Sequence, residues 1–560
     1  MVSVRLKKLL ILVGVILTFL FGSLYHFSNS RSDYTIPEGL KSYFYTSDDR
    51  LRLLTNSGLD ISGSGKNDIK FKKPQNAQFN KDFQKTFSGI FKLMDSFKDQ
   101  IPTLTHEMEA NQNRGFWSET ELRKFVKVDE ETIAKVTKIH EEIVHNIQPL
   151  RKTARDLYTN KDGIVLIGGD KFSWLSLLSI KSIRSFGTRL PIEMIIPTEE
   201  EYEYDLCEKL LPSLNAKCIL LPEVLGEDLM NTMSFSGYQY KSLAILASSF
   251  NNLLLLDSDN VLLTDPERYF KNEPFKSTGM VTWPDYWERT TSPHFYDILG
   301  VSISNLQIRD GKWPLKTPIL QTNKDKVKLH NLKGAIPDLS SESGQLLIRK
   351  SDHIGTLLLS LFYNVYGPNF FYKLISQGES GEGDKDTFVA GAFKMDEKYY
   401  QVSSEIQSFG YFDDGNFQGV SMGQRDPIED YNLFQKVKNA HPHLKEYKFA
   451  DEFDTRNASI FTIHANFPKL NPYQQFTEKK LLNSKGEEVR LYGDVYNFIR
   501  HLETDGEPYD FEMIQFKRMK FLLCELNISL KYFNNISRKE LCTFIDSHID
   551  FMVKHPVSEL

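Results

Sequence analysis

The sequence predicts an α/β fold in which a Rossmann-like mixed sheet is flanked by helices, preceded by a membrane anchor and a helical neck. Short apolar runs alternate with helical patterns from Gly163 onward, the order of a doubly wound sheet. Two carboxylates follow the fourth apolar run, at the sheet edge where such folds bind ligands. One longer apolar run lies near the N-terminus.

The elements of the predicted sheet follow one another closely. The first apolar run ends in Gly168 and Gly169 and has the character of a buried parallel strand. Pro197 ends the second run, because proline cannot donate to a strand ladder. Strands are predicted over 164–167, 192–196, 218–221, 252–256 and 346–348, and helices over 172–186, 205–211 and 240–249.

Composition limits the function classes. The chain has 560 residues, which is too long for one hydrophobic core and predicts two or three structural units. The hydrophobic fraction is 40% and the charged fraction 25%, as in ordinary globular proteins. The net charge of −6 gives no indication of the basic patch that nucleic acid binding needs, so we expect no nucleic acid partner.

The N-terminus predicts the topology of the chain. Basic residues at 5, 7 and 8 precede an apolar run over 9–27, which is close to the length that spans a bilayer. The positive-inside rule then makes residues 1–8 a cytosolic tail and gives a single-pass type II protein with its body in the lumen. A cleaved signal peptide is the alternative.

Three further segments follow the predicted anchor. Residues 28–77 are polar, with clusters of serine, asparagine, aspartate, glycine and lysine and a Ser-Gly-Ser-Gly stretch over 62–65, which is typical of a flexible stem. Residues 78–158 show helical periodicity, with Ser118 and Glu121 as a capping pair, and predict a helical neck or subdomain. Residues 159–560 are predicted to form the α/β domain, with a C-terminal extension.

The strongest local signal is the pair Asp257 and Asp259, which directly follows four leucines. Acids at i and i+2 at the end of a buried strand can hold one hard divalent cation, such as Mg²⁺ or Mn²⁺. A cation there would bridge a diphosphate and neutralise its charge as it leaves. His464 follows an apolar run and is predicted as the third ligand, although a lone histidine there is often a core residue.

The turn after the first strand predicts a nucleotide site. Gly168, Asp170 and Lys171 open the first helix, whose N-terminus favours anions. The spacing of a P-loop is absent, and an ordinary strand–helix turn is the alternative. Asp257 and Lys385 are also predicted to contact the nucleotide.

Later stretches supply candidate catalytic and substrate residues. Glu342 and Gln345 precede a buried strand and are predicted to face the sheet edge. Asp384 lies in a stretch of glycines and acids before a helix, so it is either an active-site acid or a helix cap. Trp283 and Asp285 could form a wall that faces a sugar, with core packing as the alternative for the tryptophan.

Cysteines and glycosylation sequons bear on the compartment. The four cysteines lie as two local pairs, Cys207 with Cys218 and Cys524 with Cys542. Disulfides within these pairs suit a luminal body, while other pairings and free thiols stay open. Sequons, which predict glycosylated surface sites, occur at Asn457, Asn527 and Asn535.

Together these stretches resemble the fungal Golgi α-1,2-mannosyltransferases that start and extend the branches of cell-wall mannan. The resemblance runs from about Gly163 to about Pro472, and the order of its motifs is more specific than any one of them. The motifs are Leu256-Asp-Ser-Asp-Asn260, Trp283-Pro-Asp-Tyr-Trp287, Arg289-Thr-Thr-Ser-Pro293, Ser341-Glu-Ser-Gly-Gln-Leu-Leu-Ile348, Tyr363-Asn364, Gly367-Pro-Asn369, Ser376-Gln-Gly378 and Gly381-Glu-Gly-Asp-Lys385.

The resemblance implies a GT-A-type glycosyltransferase of the Golgi membrane that uses GDP-mannose and Mn²⁺. It implies α-1,2-linked products on mannose-containing glycan acceptors, with retention of configuration, and metal ligation by Asp257, Asp259 and His464. Asp384 or Glu342 would bind or orient the acceptor hydroxyl. Alternatives are an α-1,3-mannosyl- or other hexosyltransferase of the same fold and a non-catalytic subunit of a mannan complex. A homo- or hetero-oligomer stays open.

Overall fold

A seven-stranded mixed sheet lies at the centre of the computed structural model, which describes residues 76–105, 115–440, 453, 458–493 and 509–557. The order of its strands is β10-β6-β9-β4-β1-β2-β3. Within this sheet the β10–β6 pair and the β4–β1–β2–β3 set are parallel, whereas β9 is antiparallel to both of its neighbours. Its strands are β1 (Thr159–Ile167), β2 (Ile192–Ile196), β3 (Ala216–Leu220), β4 (Phe250–Leu256), β6 (Met280–Pro284), β9 (Ser341–Arg349) and β10 (Tyr400–Gln401).

A four-stranded antiparallel sheet adjoins the first, in the order β11-β12-β13-β5. A separate two-stranded hairpin is formed by β7 and β8. These strands are β5 (Asn260–Leu262), β7 (Leu306–Asp310), β8 (Trp313–Leu320), β11 (Gln407–Asp413), β12 (Asn416–Arg425) and β13 (Ile460–His464).

Helices cover both faces of the seven-stranded sheet. Successive side chains of a strand point to opposite faces, so a strand that is buried on both sides contributes to two hydrophobic clusters. Leu253 and Leu255 belong to one hydrophobic cluster, whereas Leu254 and Leu256 belong to the other. The α-helices are α1 (Ala77–Asp95), α2 (Glu119–Leu122), α3 (Glu130–Thr153), α4 (Asp170–Ser185), α5 (Leu211–Ser213), α6 (Leu221–Leu225), α7 (Glu227–Thr232), α8 (Gln239–Ala247), α9 (Phe275–Thr278), α10 (Pro293–Leu299), α11 (Lys350–Val365), α12 (Tyr372–Ile375), α13 (Thr387–Met395), α14 (Pro427–Ala440), α15 (Pro472–Thr477), α16 (Phe511–Lys520) and α17 (Arg538–Lys554).

Two strand pairings place distant segments at the carboxyl end of β4. The antiparallel strand β9 begins there, because Gln345 pairs with Leu256. The short strand β5 follows the Asp-Ser-Asp turn and pairs with β13, so that His464 lies opposite Asn260. One edge of the molecule therefore collects side chains from widely separated parts of the sequence.

The α/β fold with a mixed sheet and flanking helices is confirmed. All five predicted strands are present, and the structure extends most of them by a few residues. The predicted helix over 205–211 is instead a π-helix, Asp205–Leu210, that continues into α5. Ser118 caps α2 by accepting a hydrogen bond from the amide of Glu121, as predicted.

The helices expected as a neck pack directly on the sheet. Phe83 and Phe87 of α1 and Ile143 of α3 share one buried cluster with Leu253 of β4. This shared core makes the segment part of the body rather than a separate neck. Within the described part of the chain, no helix has the length and hydropathy to cross a bilayer. The predicted tail, the anchor over 9–27 and most of the stem lie outside the described residues.

The cysteines form two disulfides, Cys207–Cys218 and Cys524–Cys542. This is the local pairing suggested by sequence, and no cysteine of the chain is a free thiol. The sequon residues Asn527 and Asn535 are exposed, as a glycan would require, whereas Asn457 lies outside the described residues.

Candidate active site

The turn after β4 holds the two aspartates in place through backbone hydrogen bonds. The amide of Asp257 donates to the carbonyl of Gly344 (2.7 Å), and the amide of Asn260 donates to the carbonyl of Asp257 (3.0 Å). The carbonyl of Asp259 accepts from the amide of Ala465 (3.0 Å). These bonds join the turn to β9 on one side and to the end of β13 on the other.

His464 completes a cluster of metal-ligating groups. Asp257, Asp259 and His464 each offer one ligand atom, and these atoms lie within 4.8 Å of one another. The imidazole Nε2 is 3.4 Å from Oδ1 of Asp259. Two carboxylates and an imidazole are a donor set that suits Mn²⁺ or a similar divalent cation. The three predicted ligands therefore meet at one point, and their chemistry fits a divalent metal.

Glu342 lies on the opposite side of the His464 ring from Asp259. Its Oε1 is 3.2 Å from the imidazole Nδ1 and also accepts the amide of Gly344 (2.6 Å). Although burial favours the neutral acid, His464 and Lys241 hold the pKa of Glu342 below its usual range. Nδ1 of His464 makes no hydrogen bond in the structure, so its contact with Glu342 is an ion pair. A carboxylate beside the far nitrogen of a ligating histidine can still orient the ring and increase its basicity. Glu342, predicted as catalytic, is thus placed to position His464.

Gly344 gives these groups the room to converge. A Cβ at this position would lie 2.6 Å from Oε1 of Glu342 and 2.8 Å from Nδ1 of His464. It would also lie 3.0 Å from the side-chain nitrogen of Asn260. Only a glycine is compatible with this packing.

Lys241, which the sequence analysis did not single out, lies between two of the acids. Its Nζ is 3.0 Å from Oδ2 of Asp257 and 3.6 Å from Oδ2 of Asp384. It also donates to the carbonyl (3.1 Å) and hydroxyl (3.0 Å) of Ser343. Burial opposes its charge, but Asp257, Asp384 and Glu342 raise the pKa of Lys241, so it stays protonated. A fixed cation therefore faces the Asp-Ser-Asp turn.

Asp384 points its carboxylate toward this cation. The residue is only 3% exposed, and its Oδ2 has no hydrogen-bond partner. Burial, reinforced by the charge of Asp257 and opposed by Lys241, raises the pKa of Asp384 to about 6. The carbonyl of Asp384, not its carboxylate, accepts from the amide of Thr387. The helix-cap alternative is therefore not the role of this side chain.

A second lysine contacts the other aspartate. Lys469, from the loop after β13, forms an ion pair with Oδ2 of Asp259. Burial acts to raise the pKa of Asp259, yet His464 and Lys469 hold it well below its usual range. For Asp257, burial and the charge of Asp259 outweigh Lys241, and its pKa is raised. The two carboxylates of the turn thus have unlike environments.

Asp285 and Lys385 form a buried ion pair beside the cluster, with 2.7 Å between Nζ and Oδ2. Lys385 also donates to the carbonyl of Ser380 (3.0 Å). Burial raises the pKa of Asp285 against the effect of Lys385. Lys385 was predicted to bind the nucleotide, and in the structure its ammonium group is directed to Asp285.

Comparison with known proteins identifies the family. A mannosyltransferase family model matches residues 161–426. The α-1,2-mannosyltransferase MNN23 of Candida albicans is 38% identical over 511 residues, covering 84% of this chain and 84% of that protein. MNN21 of the same organism is 42% identical, covering 78% of this chain and 68% of that protein. MNN2 of Saccharomyces cerevisiae is 36% identical, with coverages of 78% and 77%.

This chain belongs to that α-1,2-mannosyltransferase family.

Solved structures offer weaker likenesses to this mannosyltransferase. The glycosyltransferase GlyE of Streptococcus pneumoniae TIGR4 is 10% identical, with a TM-score of 0.26 over 44% of this chain and 46% of that chain. The galactosyltransferase LgtC is 11% identical, with a TM-score of 0.25 over 43% of this chain and 73% of that chain. These TM-scores are too low to support a fold assignment.

Two predicted site residues of the mannosyltransferase lie in its core. Trp283 is fully buried, stacks on Phe461 with 5.1 Å between ring centroids, and donates to the carbonyl of Arg425 (2.8 Å). The prediction that it faces a sugar is wrong, because its strand turns this side chain inward. Gln345 is also fully buried and links Asn260 to Glu342 by hydrogen bonds of 2.7 Å. It supports the site rather than acting in it.

The predicted nucleotide turn of the mannosyltransferase lies at the same sheet edge as Asp257, because β1 and β4 are parallel neighbours. Gly168 is buried, whereas Asp170 is exposed at the start of α4. A Cβ on Gly169, whose φ is 97°, would lie 2.8 Å from the carboxylate of Glu201. Lys171 places its Nζ 5.4 Å from the ring of Phe172. The nucleotide role of these residues stays a prediction.

Proposed function

We propose that this chain is a retaining GT-A-type α-1,2-mannosyltransferase that transfers mannose from GDP-mannose to mannose-containing glycans. One observation carries the proposal. Asp257, Asp259 and His464 converge at the carboxyl end of β4, with Lys241 beside them, in a chain whose relatives are named for this reaction. The carboxyl edge of such a sheet is where α/β proteins bind their ligands.

In the proposed reaction, the bond between the anomeric carbon and the phosphate oxygen breaks, and GDP leaves with the electron pair. The acceptor hydroxyl oxygen forms the new bond to the anomeric carbon, and its proton passes to the oxygen of the departing diphosphate. Asp257, Asp259 and His464 would hold Mn²⁺, which when bound neutralises the charge that develops on the leaving diphosphate. Lys241 and Lys469 keep the carboxylates oriented and add positive charge near the same edge.

Other residues of the chain would orient the substrates. Asp384 is proposed to bind the acceptor hydroxyl, because its Oδ2 has no hydrogen-bond partner and lies 3.6 Å from Lys241. Glu342 is proposed to hold the ring of His464 from behind. The N-terminus of α4, with Gly168, is proposed to receive the nucleotide.

We infer a Golgi location, with the catalytic body in the lumen and one N-terminal span over 9–27. Two features of the body support an oxidising, secretory compartment. The chain has two disulfides, which persist in oxidising compartments. The sequon residues Asn527 and Asn535 are exposed to solvent, as N-glycosylation in the secretory pathway requires.

The test is mannose transfer by the full chain, purified in detergent, from GDP-mannose with Mn²⁺ to an α-1,6-linked mannose oligosaccharide. A linkage-specific mannosidase maps the product. We expect an α-1,2-linked product from the unsubstituted chain and from Asp228→Asn, an exposed acid on α7. Asp259→Asn should abolish transfer. A product made from UDP-galactose, or in α-1,3 linkage, would contradict the proposal and favour another hexosyltransferase.

A further inference from the structure

Three exposed aromatic rings lie on one face of the β11–β12 hairpin and at its base. Tyr286 is 40% exposed, Phe417 42% and Phe412 68%. Phe412 and Phe417 are directly opposed in the ladder, with 5.4 Å between ring centroids and an interplanar angle of 63°. We call Tyr286, Phe412 and Phe417 the aromatic strip.

Strand alternation puts the three rings on the same face. The ladder has a β-bulge whose extra residue, Val420, belongs to β12, so the alternation along β11 is uninterrupted. Ser408, Gly410 and Phe412 therefore share a face. The hydroxyl of Tyr286 is 2.7 Å from the hydroxyl of Ser408, so the tyrosine joins this face at the base of the hairpin. The ring of Phe417 belongs to it too, because a Cβ on Gly410 would lie 2.9 Å from that ring.

The opposite face of the hairpin is already packed. Phe409 is fully buried, and Asp413 accepts hydrogen bonds from the amide (3.0 Å) and hydroxyl (3.1 Å) of Ser484. The strip therefore occupies the outward face. The ring of Phe417 lies against Gly410 and Gly419 on this face and is 42% exposed.

The strip begins at the candidate active site and leads away from it. Tyr286 directly follows Asp285, which pairs with Lys385 beside the metal-ligating cluster. Met422 of β12 pairs with His464 on one side and with Ser408 of β11 on the other. Phe412, which is opposite Phe417, lies four positions beyond Ser408, and at the rise of a β-strand this is roughly 13 Å beyond the level of the histidine.

We propose that the aromatic strip binds the mannose units of the acceptor that lie beyond the unit receiving the new mannose. The inference rests on the proposed function and extends it to the length of the acceptor. The apolar face of a pyranose ring packs on an aromatic face, and rings with few rotatable bonds bind at low entropic loss. No side chain of the strip, nor Ser408, Gly410 or Gly419, carries charge, which suits a neutral glycan rather than an acidic one.

The test compares acceptors of different length. The full chain and the double variant Phe412→Ala/Phe417→Ala are assayed with α-1,6-linked mannobiose and mannohexaose at saturating donor. We expect the KM of the unsubstituted chain to be lower for the hexaose, and the double variant to raise that KM about tenfold. Its kcat and its KM for mannobiose should stay unchanged. The same KM for the hexaose in both proteins would overturn the proposal.

A matched control separates ring loss from damage to the fold. Phe476 is 40% exposed and contacts Phe544 at the same 5.4 Å and 63° as the pair on the hairpin, but it packs among C-terminal helices. Phe476→Ala should leave both KM values unchanged. Tyr286→Phe, which keeps the ring, should change the KM for the hexaose less than Tyr286→Ala does.

A binding measurement tests the aromatic strip independently of the proposed reaction. If the unsubstituted chain transfers no mannose, the proposed function fails, and saturation-transfer NMR of mannohexaose with the full chain then decides on the strip. Saturation that is lost in the double variant and kept in Phe476→Ala supports the strip. Equal saturation in all three proteins overturns it.

Discussion

Two buried aspartates, two positions apart in the chain, have opposite environments. Asp386 accepts hydrogen bonds from Arg289 (2.7 Å) and from the amide (2.7 Å) and hydroxyl (2.8 Å) of Ser341. Burial would raise its pKa, but Arg289 holds the pKa below the usual range. Asp384 instead has a carboxylate oxygen without a hydrogen-bond partner, and its pKa rises to about 6.

The charge of Asp386 stabilises the fold, whereas the charge of Asp384 is available to a substrate. A buried carboxylate without full compensation is unfavourable in free energy, so it is expected where a ligand will use it. Asp386 joins the loop before α13 to β9 through Ser341 and thereby fixes the backbone that presents Asp384.

The largest effect is expected from breaking the compensated pair. Arg289→Leu leaves Asp386 buried without its cation, and the free energy of unfolding should fall by about 3–5 kcal/mol. Urea denaturation of the full chain measures it. Arg123→Leu removes the surface pair with Asp297 and should lower the free energy by at most about 1 kcal/mol. Equal losses in the two variants would contradict the assignment of Asp386 to the fold.

Asp384, whose charge Lys241 compensates only in part, should show the reverse pattern. Asp384→Asn keeps the shape of the side chain and removes a buried charge, so the free energy of unfolding should be unchanged or higher. The kcat for mannose transfer should fall on the order of 10²-fold, because the acceptor hydroxyl loses its partner. Steady-state kinetics beside urea denaturation measure both quantities. If the variant kept the full kcat, Asp384 would not be the residue that binds the acceptor hydroxyl.

Glu342 should affect metal binding through His464. Glu342→Gln weakens the hold on the imidazole, and the affinity for Mn²⁺ should fall about 10–100-fold. Isothermal titration with Mn²⁺ measures this loss without any substrate. Glu288→Gln, which removes an acid paired with Lys328 at the surface, should leave the affinity unchanged. Unaltered affinity in Glu342→Gln would rule out its positioning role.

The smallest effect is expected in the C-terminal helices, where His548 lies between Glu488 (2.6 Å) and Glu512 (3.1 Å), with Arg490 beside Glu512. Burial lowers the pKa of His548, but Glu512 and Glu488 raise it above the usual value overall. The resulting stability is fully present below the unfolded-state pKa of about 6.5 and is lost as pH rises through the folded-state pKa.

His548→Gln tests this pH dependence. The variant should be less stable than the unsubstituted chain by about 1–2 kcal/mol at pH 5.5, because a charge-assisted hydrogen bond is lost. The difference should shrink as pH rises. Thermal or urea unfolding at a series of pH values measures this difference in stability. A difference that grew as pH rose would contradict a protonated His548 in the folded state.

The sheet and the Asp-Ser-Asp turn were predictable because their signals are local. Four consecutive leucines before Asp257 report a strand buried on both faces, and its end sets the position of the acids. Lys241 could not be found in this way, because it lies on an ordinary helix and gains its role from Ser343 and Asp384, more than a hundred positions away. Its only signal is a lysine in the first turn of a helix that ends in the apolar run 243–247.

The error at Trp283 has a similar origin. Sequence showed that aromatic residues follow the Asp-Ser-Asp turn, but it did not show which of them face outward. Trp283 is buried against Phe461, whereas Tyr286 is exposed. The sequence indicated an aromatic segment, and only the fold decides which of its rings is exposed.

Gly344 has a consequence for attempts to redesign this enzyme. Because a single added carbon there would collide with Glu342 and His464, a saturation library at this position should return glycine alone among active clones. Changes of donor or acceptor preference must therefore arise at the periphery, where side chains can vary in size without moving the metal-ligating groups. We therefore expect that the centre of the site tolerates few substitutions. Variants with altered substrate preference should carry their changes in the surrounding loops and the exposed hairpin.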